Sequence, residues 1–423
     1  MTNNWIRRAA GLAGMAVMAG GAVTSAQATE GYFALGYGPG QRALAGAGVA
    51  RGFEAMSAAV NPAGVAGLGS QLQVGAQLFM PFRGYTGTGT GFVPFGTVDS
   101  EENMFVVPNF AYNHALANGA VLNFAIYGNG GMNTTYRTGL NGCGSVYCGG
   151  NAGVDLSQMF ISATYAQKSG AFSWGISPTL AVQRFEAVGL GVFGTIPGLS
   201  TDPTKLTNNG YDMSYGFGLR AGVEIELSPT LTFGLSGQTK MNMSKFEKYA
   251  GLFADAGGFD IPATITAGVA WQANPDLTLM ADFQRIFYSG VGSVSNAFGA
   301  GPLGAPGGTG FGWDDVDVFK VAAEWRQNDK FTWRAGYAYA TNPVGPEDVM
   351  LGILAPGIVE HHLSAGGTMT LNDRDSLDFS VGYALPNTVN GIEVIPFVGP
   401  TPGSNIELNM HQFSVSVGWT RSF

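Results

Sequence analysis

The chain ends in Phe413-Ser414-Val415-Ser416-Val417-Gly418-Trp419-Thr420-Arg421-Ser422-Phe423. Phe413, Val415, Val417, Trp419 and Phe423 share one parity; Ser414, Ser416, Gly418, Thr420 and Ser422 share the other. Successive side chains of a strand point to opposite faces, so one face here is apolar and the other small and polar. The pattern recurs upstream. Leu219, Ala221, Val223, Ile225 and Leu227 oppose Arg220, Gly222, Glu224 and Glu226; Leu277, Leu279, Ala281 and Phe283 oppose Thr278, Met280, Asp282 and Gln284. Phe331, Trp333, Ala335, Tyr337 and Tyr339 oppose Thr332, Arg334, Gly336 and Ala338, and Leu377, Phe379, Val381, Tyr383 and Leu385 oppose Asp378, Ser380 and Gly382. In these upstream segments the charges sit on the polar face.

The connections between these segments add an independent test. Short polar turns stand at Asn118-Gly119, Lys168-Ser169-Gly170, Ser228-Pro229-Thr230, Asn274-Pro275-Asp276, Asn328-Asp329 and Asn372-Asp373-Arg374-Asp375. Between them lie longer Gly/Pro-rich connections at about 81–103, 131–154, 186–209, 244–260, 290–313, 342–357 and 386–405. Strict alternation of short and long is what an outer-membrane barrel requires, with tight periplasmic turns and long extracellular loops. The expected fold is all-β: a transmembrane antiparallel β-barrel of about 14 strands, with an N-terminal plug.

Composition agrees. Of 423 residues, 45% are hydrophobic and only 12% charged, about half the usual charged share of roughly 25%. Disorder requires the opposite balance. A soluble β-sandwich or propeller would also alternate, but with its polar side outward and with far more charge. Net charge is −9 with no basic cluster, so the footprint of a nucleic-acid binder is missing. Arg7 and Arg8, the small apolar run 9–23 and Ala26-Gln27-Ala28 read as a signal peptide over residues 1–28. No later run reaches the 18 apolar residues of a spanning helix. Residues 29–69 fit no strand scheme and have the length of a compact plug; residues 70–423 form the barrel. An export signal followed by a barrel places the chain in the outer membrane of a Gram-negative bacterium.

Several motifs in this segment and elsewhere resemble one family. An aromatic mature N-terminus, the stretch Gly40-Gln41-Arg42-Ala43-Leu44-Ala45-Gly46-Ala47-Gly48 and the triplet Asn61-Pro62-Ala63 resemble the hatch of FadL/TodX-type outer-membrane transporters of long-chain fatty acids and hydrocarbons. Lys245-Phe246-Glu247-Lys248-Tyr249, Phe259-Asp260-Ile261-Pro262-Ala263 and Trp313-Asp314-Asp315 extend the resemblance along the mature chain, and the terminal Phe423 resembles the C-terminal signature of outer-membrane barrels in general. It implies capture of a hydrophobic molecule by extracellular loops, an inner pocket against the hatch N-terminus and lateral release through a gap at a kink in the third strand, close to Asn61-Pro62-Ala63. The loop residues Phe193, Ile196, Leu199, Phe246, Tyr249, Leu252 and Phe253 are strongly apolar for exposed segments, which marks a binding surface; the second loop has the composition of an amphipathic helix. Tyr32 and Phe33 stand at the expected inner pocket. The gating set is Asn61, Pro62 and Ala63 with Gly128, Gly130 and Gly131, a glycine run that breaks regular pairing.

Other motifs carry blander readings. Gly38-Pro39-Gly40-Gln41-Arg42-Ala43 fits a loose dinucleotide pattern but follows no strand. His361 and His362 are adjacent and point to opposite faces, so they cannot share a metal; His114 and His411 read as strand-end residues. Asp314, Asp315 and Asp317 lack the Gly and Glu of a calcium loop. Cys143 and Cys148, in an exported loop, are expected to form a disulfide. No catalytic residue, metal or cofactor is expected, and the chain is not read as an enzyme. Lumenal Arg220, Arg326 and Arg334 are expected in ion networks rather than at a ligand head group.

The function expected is passive uptake of hydrophobic molecules, long-chain fatty acids first, with aromatic or aliphatic hydrocarbons as the alternative. An adhesin, phage receptor or structural porin is the reading from another class. Expected partners are the hydrophobic ligand, outer-membrane lipid and lipopolysaccharide, and the outer-membrane assembly machinery, with the chain acting as a monomer.

Overall fold

The computed structural model describes residues 29–395 and 398–423; the proposed signal peptide lies outside the described residues. Fourteen long strands form the wall. In chain order they are β1 Gln71–Thr88, β2 Phe105–Ala115, β3 Val121–Tyr136, β4 Ala152–Ser169, β5 Phe172–Val188, β6 Asp212–Ser228 and β7 Leu231–Gln238. There follow β8 Thr264–Asn274, β9 Leu277–Ile286, β10 Val316–Arg326, β11 Phe331–Ala340, β12 His361–Thr370, β13 Asp375–Gly391 and β14 Asn405–Ser422. Each pairs antiparallel with its chain neighbours, and β14 returns to β1 from Gln71↔Ser422 to Thr88↔Asn405. The sheet therefore closes, and no lipid-facing edge is left along this seam.

All six predicted short turns lie at hairpins on one end of the barrel. The long connections are on the other end, but several are shorter than the sequence suggests. β1 continues to Thr88, β3 to Tyr136 and β13 to Gly391. These strands stand taller than the bilayer, and Gly and Pro at their outer ends read as loop although the ladder carries on. His411 is corrected for the same reason: it sits well inside β14, stacked on Phe82 with ring centroids 4.9 Å apart. His361 and His362 do take opposite faces, His362 buried and His361 accepting or donating a 2.7 Å bond with the Tyr337 hydroxyl.

Burial is inverted relative to a soluble sheet. On β14 the apolar Val417 is 59% exposed while its neighbour Ser416 is 2% exposed. Phe379, Val381, Tyr383, Trp333 and Leu279 are likewise exposed, whereas Arg334, Asp378, Asp282 and Lys320 are buried. The apolar surface meets lipid and the polar parity faces a filled lumen. Among the described residues, no helix is long and apolar enough to cross a membrane.

The filling is residues 29–69. Its one helical turn, α1 (Pro39–Ala43), and two 3-10 turns, Ala55–Ala59 and Pro62–Val65, are almost wholly buried. Wall glycines let the plug backbone approach. A Cβ at Gly234 would stand 2.2 Å from the Val49 carbonyl oxygen, and one at Gly175 would stand 2.5 Å from the Pro62 carbonyl carbon. Buried polar groups then hold it: Asp282 accepts from the Gly48 and Val49 amides at 2.8 and 2.9 Å. Glu324 bridges Arg51 of the plug at 3.0 Å and Arg334 of β11 at 2.7 Å. Arg334 is thus in an ion network, as expected. Arg326 pairs with Asp276 at the hairpin end, whereas Arg220 bonds to the neutral Gln238 and the Val60 carbonyl.

Inverted burial makes a direct prediction. Val417→Arg, on the lipid face of β14, is expected to destabilise the barrel by about 2–4 kcal/mol, measured by denaturant unfolding in phospholipid vesicles.

Candidate functional site

The two apolar loops expected to lie exposed are folded over the barrel mouth instead. Phe193, Leu199, Phe246, Tyr249 and Phe253 are buried, and Ile196 and Leu252 are half-buried. Phe185 of β5 forms the centre, with ring centroids 5.6 Å from Phe246, 4.8 Å from Tyr249 and 4.6 Å from Phe253. Apolar loop side chains shed water by packing on one another and on the loops beyond β9 and β11, so an open groove is replaced by a roof. The expected amphipathic helix is also absent: Glu247–Tyr249 is a single 3-10 turn, and Asp255 and Ala256 have φ of 55° and 57°.

Under the roof is a cavity of about 30 Å³ lined by Phe185, Phe193, Leu199, Phe253, Phe311 and Leu354 among others. An apolar cavity of about 150 Å³ is known to hold a benzene ring. With the loops packed as they are, this space is smaller than such a ring. Leu252 also lines this space, while Phe246 and Tyr249 pack behind it. The Tyr249 hydroxyl donates to the Gly210 carbonyl at 2.8 Å and accepts from the Ala187 amide at 3.1 Å, tying the two loops together. Cys143 and Cys148 are joined as a disulfide, their Cα atoms 5.4 Å apart, in the neighbouring loop.

Tyr32 and Phe33 belong to a second, deeper cluster. Tyr32 lies 5.1 Å from Tyr288, 5.9 Å from Trp313 and 6.1 Å from Phe259, centroid to centroid, and Phe33 lies 6.0 Å from Tyr288. The Tyr288 hydroxyl donates to the Glu30 carbonyl at 2.7 Å and accepts from the Tyr32 amide at 3.0 Å. Beside it the Glu30 carboxylate and the Lys320 ammonium form a buried pair at 2.7 Å. Burial pushes the Glu30 carboxyl above the usual carboxylate range, and Lys320 opposes that shift. Tyr288 and Lys320 carry no sequence signal, being ordinary members of a loop and a strand; Trp313 was visible only as part of a resembling motif.

The wall is incomplete next to this cluster. β2 pairs with β3 only from Asn109↔Tyr127 to Ala115↔Val121, although β3 continues to Tyr136. At residues 128–131 the structure places a β-bulge, with the β4 register shifting between Gly128 and Gly130. Plug residues take the place of the missing strand: the Ala34 amide donates to the Asn129 carbonyl at 2.9 Å, and the Gly131 amide donates to the Tyr32 carbonyl at 3.0 Å. Only glycine permits this approach, since a Cβ at Gly130 would be 1.9 Å from the Tyr32 oxygen. The bulged Asn129 side chain starts an amide relay through Gln158 at 3.0 Å and Gln183 at 2.9 Å to the Phe259 carbonyl at 2.8 Å.

The expected gating residues are therefore separated. Gly128, Gly130 and Gly131 are at the gap, but Asn61, Pro62 and Ala63 are not beside it. Asn61 caps its 3-10 turn by accepting from the Ala63 amide at 3.0 Å and donates to the Val223 carbonyl of β6 at 3.1 Å. The hatch element at the gap is the N-terminal residues 32–34. Asp315 and Asp317 both face Arg285, at 3.5 and 3.4 Å, which accounts for that acidic group.

A family described as outer membrane protein transport protein (OMPP1/FadL/TodX) matches residues 15–394. The chain belongs to the OMPP1/FadL/TodX family. It is an outer-membrane transport protein of β-barrel fold, and the family implies no enzyme. Among solved structures, the toluene transporter TodX of Pseudomonas putida is similar, with a TM-score of 0.67 at 16% identity, covering 92% of this chain and 99% of that one. A Pseudomonas aeruginosa FadL homologue gives 0.68 at 16% identity, covering 93% and 100%. The Ralstonia pickettii toluene transporter TbuX gives 0.64 at 18%, covering 92% and 99%. At these identities the likeness is one of fold. No curated protein matches the chain.

In this OMPP1/FadL/TodX member, Glu30–Lys320 ties the plug N-terminus to β10, while residues 32–34 bond to β3 at the gap. Glu30→Gln removes the carboxylate that balances the Lys320 charge and leaves the Gln284 side-chain oxygen, at 2.8 Å, as a neutral acceptor, a loss of up to about 3–5 kcal/mol. The expected outcome is faster hydrogen exchange at the amides of residues 32–34, measured by mass spectrometry, with the barrel still folded.

Proposed function

We propose that the protein takes up small hydrophobic molecules, captured under the loop roof, passed to the aromatic cluster at Tyr32, Tyr288 and Trp313, and released sideways into the bilayer between β2 and β3. The observation that carries this reading is the coincidence of the cluster with a stretch of wall where a plug segment replaces strand pairing. An axial exit is less suitable for an apolar solute. The hairpin end of the lumen holds a cavity of about 580 Å³ lined by Arg51, Glu54, Glu324, Arg334 and Asp378, and moving apolar surface past fixed charges forgoes the gain of burial.

The cluster supports monoaromatic hydrocarbons as substrates ahead of long-chain fatty acids. Its walls are rings, which favour offset and edge contacts with another ring. Lys320, the cation beside it, is already paired with Glu30, and so is not free to receive a carboxylate. Within this reading the hatch is residues 29–69, and residues 32–34 are its moving part. The loop residues Phe193, Leu199, Leu252 and Phe253 make first contact, with Ile196, Phe246 and Tyr249 supporting them.

Labelled toluene and oleate, offered to cells expressing the intact protein, test both levels. Toluene uptake above that of empty cells, with oleate lower, is the expected result, and Tyr32→Ala is expected to reduce toluene uptake severalfold. Equal counts in expressing and empty cells for both compounds reject the transport reading.

A further inference from the structure

The β2–β3 gap extends beyond the part covered by the hatch, and its upper part is closed by one side chain. Along the unpaired edge of β3, residues 129 and 131 bond to the hatch, and residue 135 bonds to the loop before β2 through the Ser100 hydroxyl at 2.9 Å and the Glu101 amide at 2.9 Å. Between them, the Asn133 carbonyl accepts from Arg83 Nε at 2.8 Å and the Asn133 side-chain oxygen accepts from an Arg83 terminal nitrogen at 2.7 Å. The other terminal nitrogen donates to the Pro81 carbonyl at 2.8 Å, the Asn103 side chain at 2.9 Å and the Glu102 carbonyl. Arg83 stands on β1, its guanidinium 5.7 Å from the Phe105 ring centroid, and is buried. It reaches across the outer end of β2 to β3 and occupies the position of a strand that is not there.

A side chain in this position differs mechanically from a ladder. Strand pairing opens cooperatively, whereas a guanidinium can turn about its own side-chain bonds and exchange five N–H donors among acceptors. Directly behind it lies a second cavity, about 20 Å³, lined by Phe79, Met132, Trp313, Met410 and Arg83 itself. Trp313 also belongs to the cluster around Tyr32. The aromatic cluster, the small cavity and the Arg83 contacts are thus consecutive, leading from the lumen to the wall. Methionine lining suits a passage that must reshape around a solute.

We propose that Arg83 is the latch of the lateral opening: its rotation, and not the hatch alone, sets whether the Met132 passage communicates with the membrane. This rests on the lateral-release reading above and adds to it the residue that controls the upper half of the seam.

The test places a reporter in the passage. Met132→Cys in the mature protein, reconstituted in phosphatidylcholine vesicles, is labelled with a membrane-partitioning maleimide; the native cysteines are already joined. With Arg83 intact, labelling is expected to be slow. Arg83→Met, of similar length but without donors, removes all five bonds and is expected to speed it by at least about tenfold, a scale that even one charge-assisted hydrogen bond reaches. Unchanged labelling in a folded, heat-modifiable Arg83→Met barrel overturns the proposal. Should that variant not fold, Asn103→Ala and Asn133→Ala each remove one acceptor, and each is expected to speed labelling about two- to threefold; no change in either overturns the proposal. Toluene uptake with labelling unmoved rejects the latch alone. Faster labelling without toluene uptake rejects the transport reading and leaves the latch standing.

Discussion

In hydrocarbon there is no water to satisfy a backbone N–H or C=O, so each must find a partner within the protein. That constraint forces the closed sheet, and the long β1–β14 ladder is where closure is achieved. It also makes any break in pairing conspicuous. Between β2 and β3 the ladder stops at Asn109↔Tyr127, and the exposed β3 edge is served in turn by the hatch, an arginine side chain and a loop. None of these substitutes is a strand of the wall, so none is locked into a ladder with neighbours on both sides.

The interior is governed by the same accounting. The lumen carries Asp282, Lys320, Glu324, Arg334 and Asp378, and charges enclosed in this way require partners. Plug amides, Arg51 and Glu30 provide them. The plug is therefore held by polar contacts as well as by the apolar packing of Tyr32, Phe33, Tyr37 and Met56, aided by wall glycines that admit its backbone. The polar contacts are individually specific and separately releasable. Aromatic packing occurs at both levels, around Tyr32 of the plug and at the outer end, where Phe185, Phe246 and Phe253 close the mouth.

Much of this was legible in the chain. Parity along Phe331, Trp333, Ala335, Tyr337 and Tyr339 identified the lipid face without reference to neighbours, because a strand's own period places its side chains. The short turns were equally visible, since Asn, Asp, Gly and Pro act locally. The loop residues were harder. Phe193 and Phe253 were recognised as important, but composition alone could not tell an exposed groove from a closed roof, which depends on what meets them. Asn61-Pro62-Ala63 and the glycines at 128–131 were singled out together, yet they lie in different parts of the molecule.

The sequence by itself determined the barrel, its inside and its outside, and family membership was already visible in its motifs, because period-two alternation and turn chemistry are written over a few adjacent residues. The glycines at 128–131 marked where regular pairing breaks; only the tertiary structure decided what covers the break. That depends on Tyr32, Arg83, Ser100 and Asn133 meeting across separations that no local pattern encodes, and on the absence of a ladder that begins regularly and then stops. A partner that replaces a missing ladder has no local mark in the sequence; it appears only when the neighbouring strands are in place.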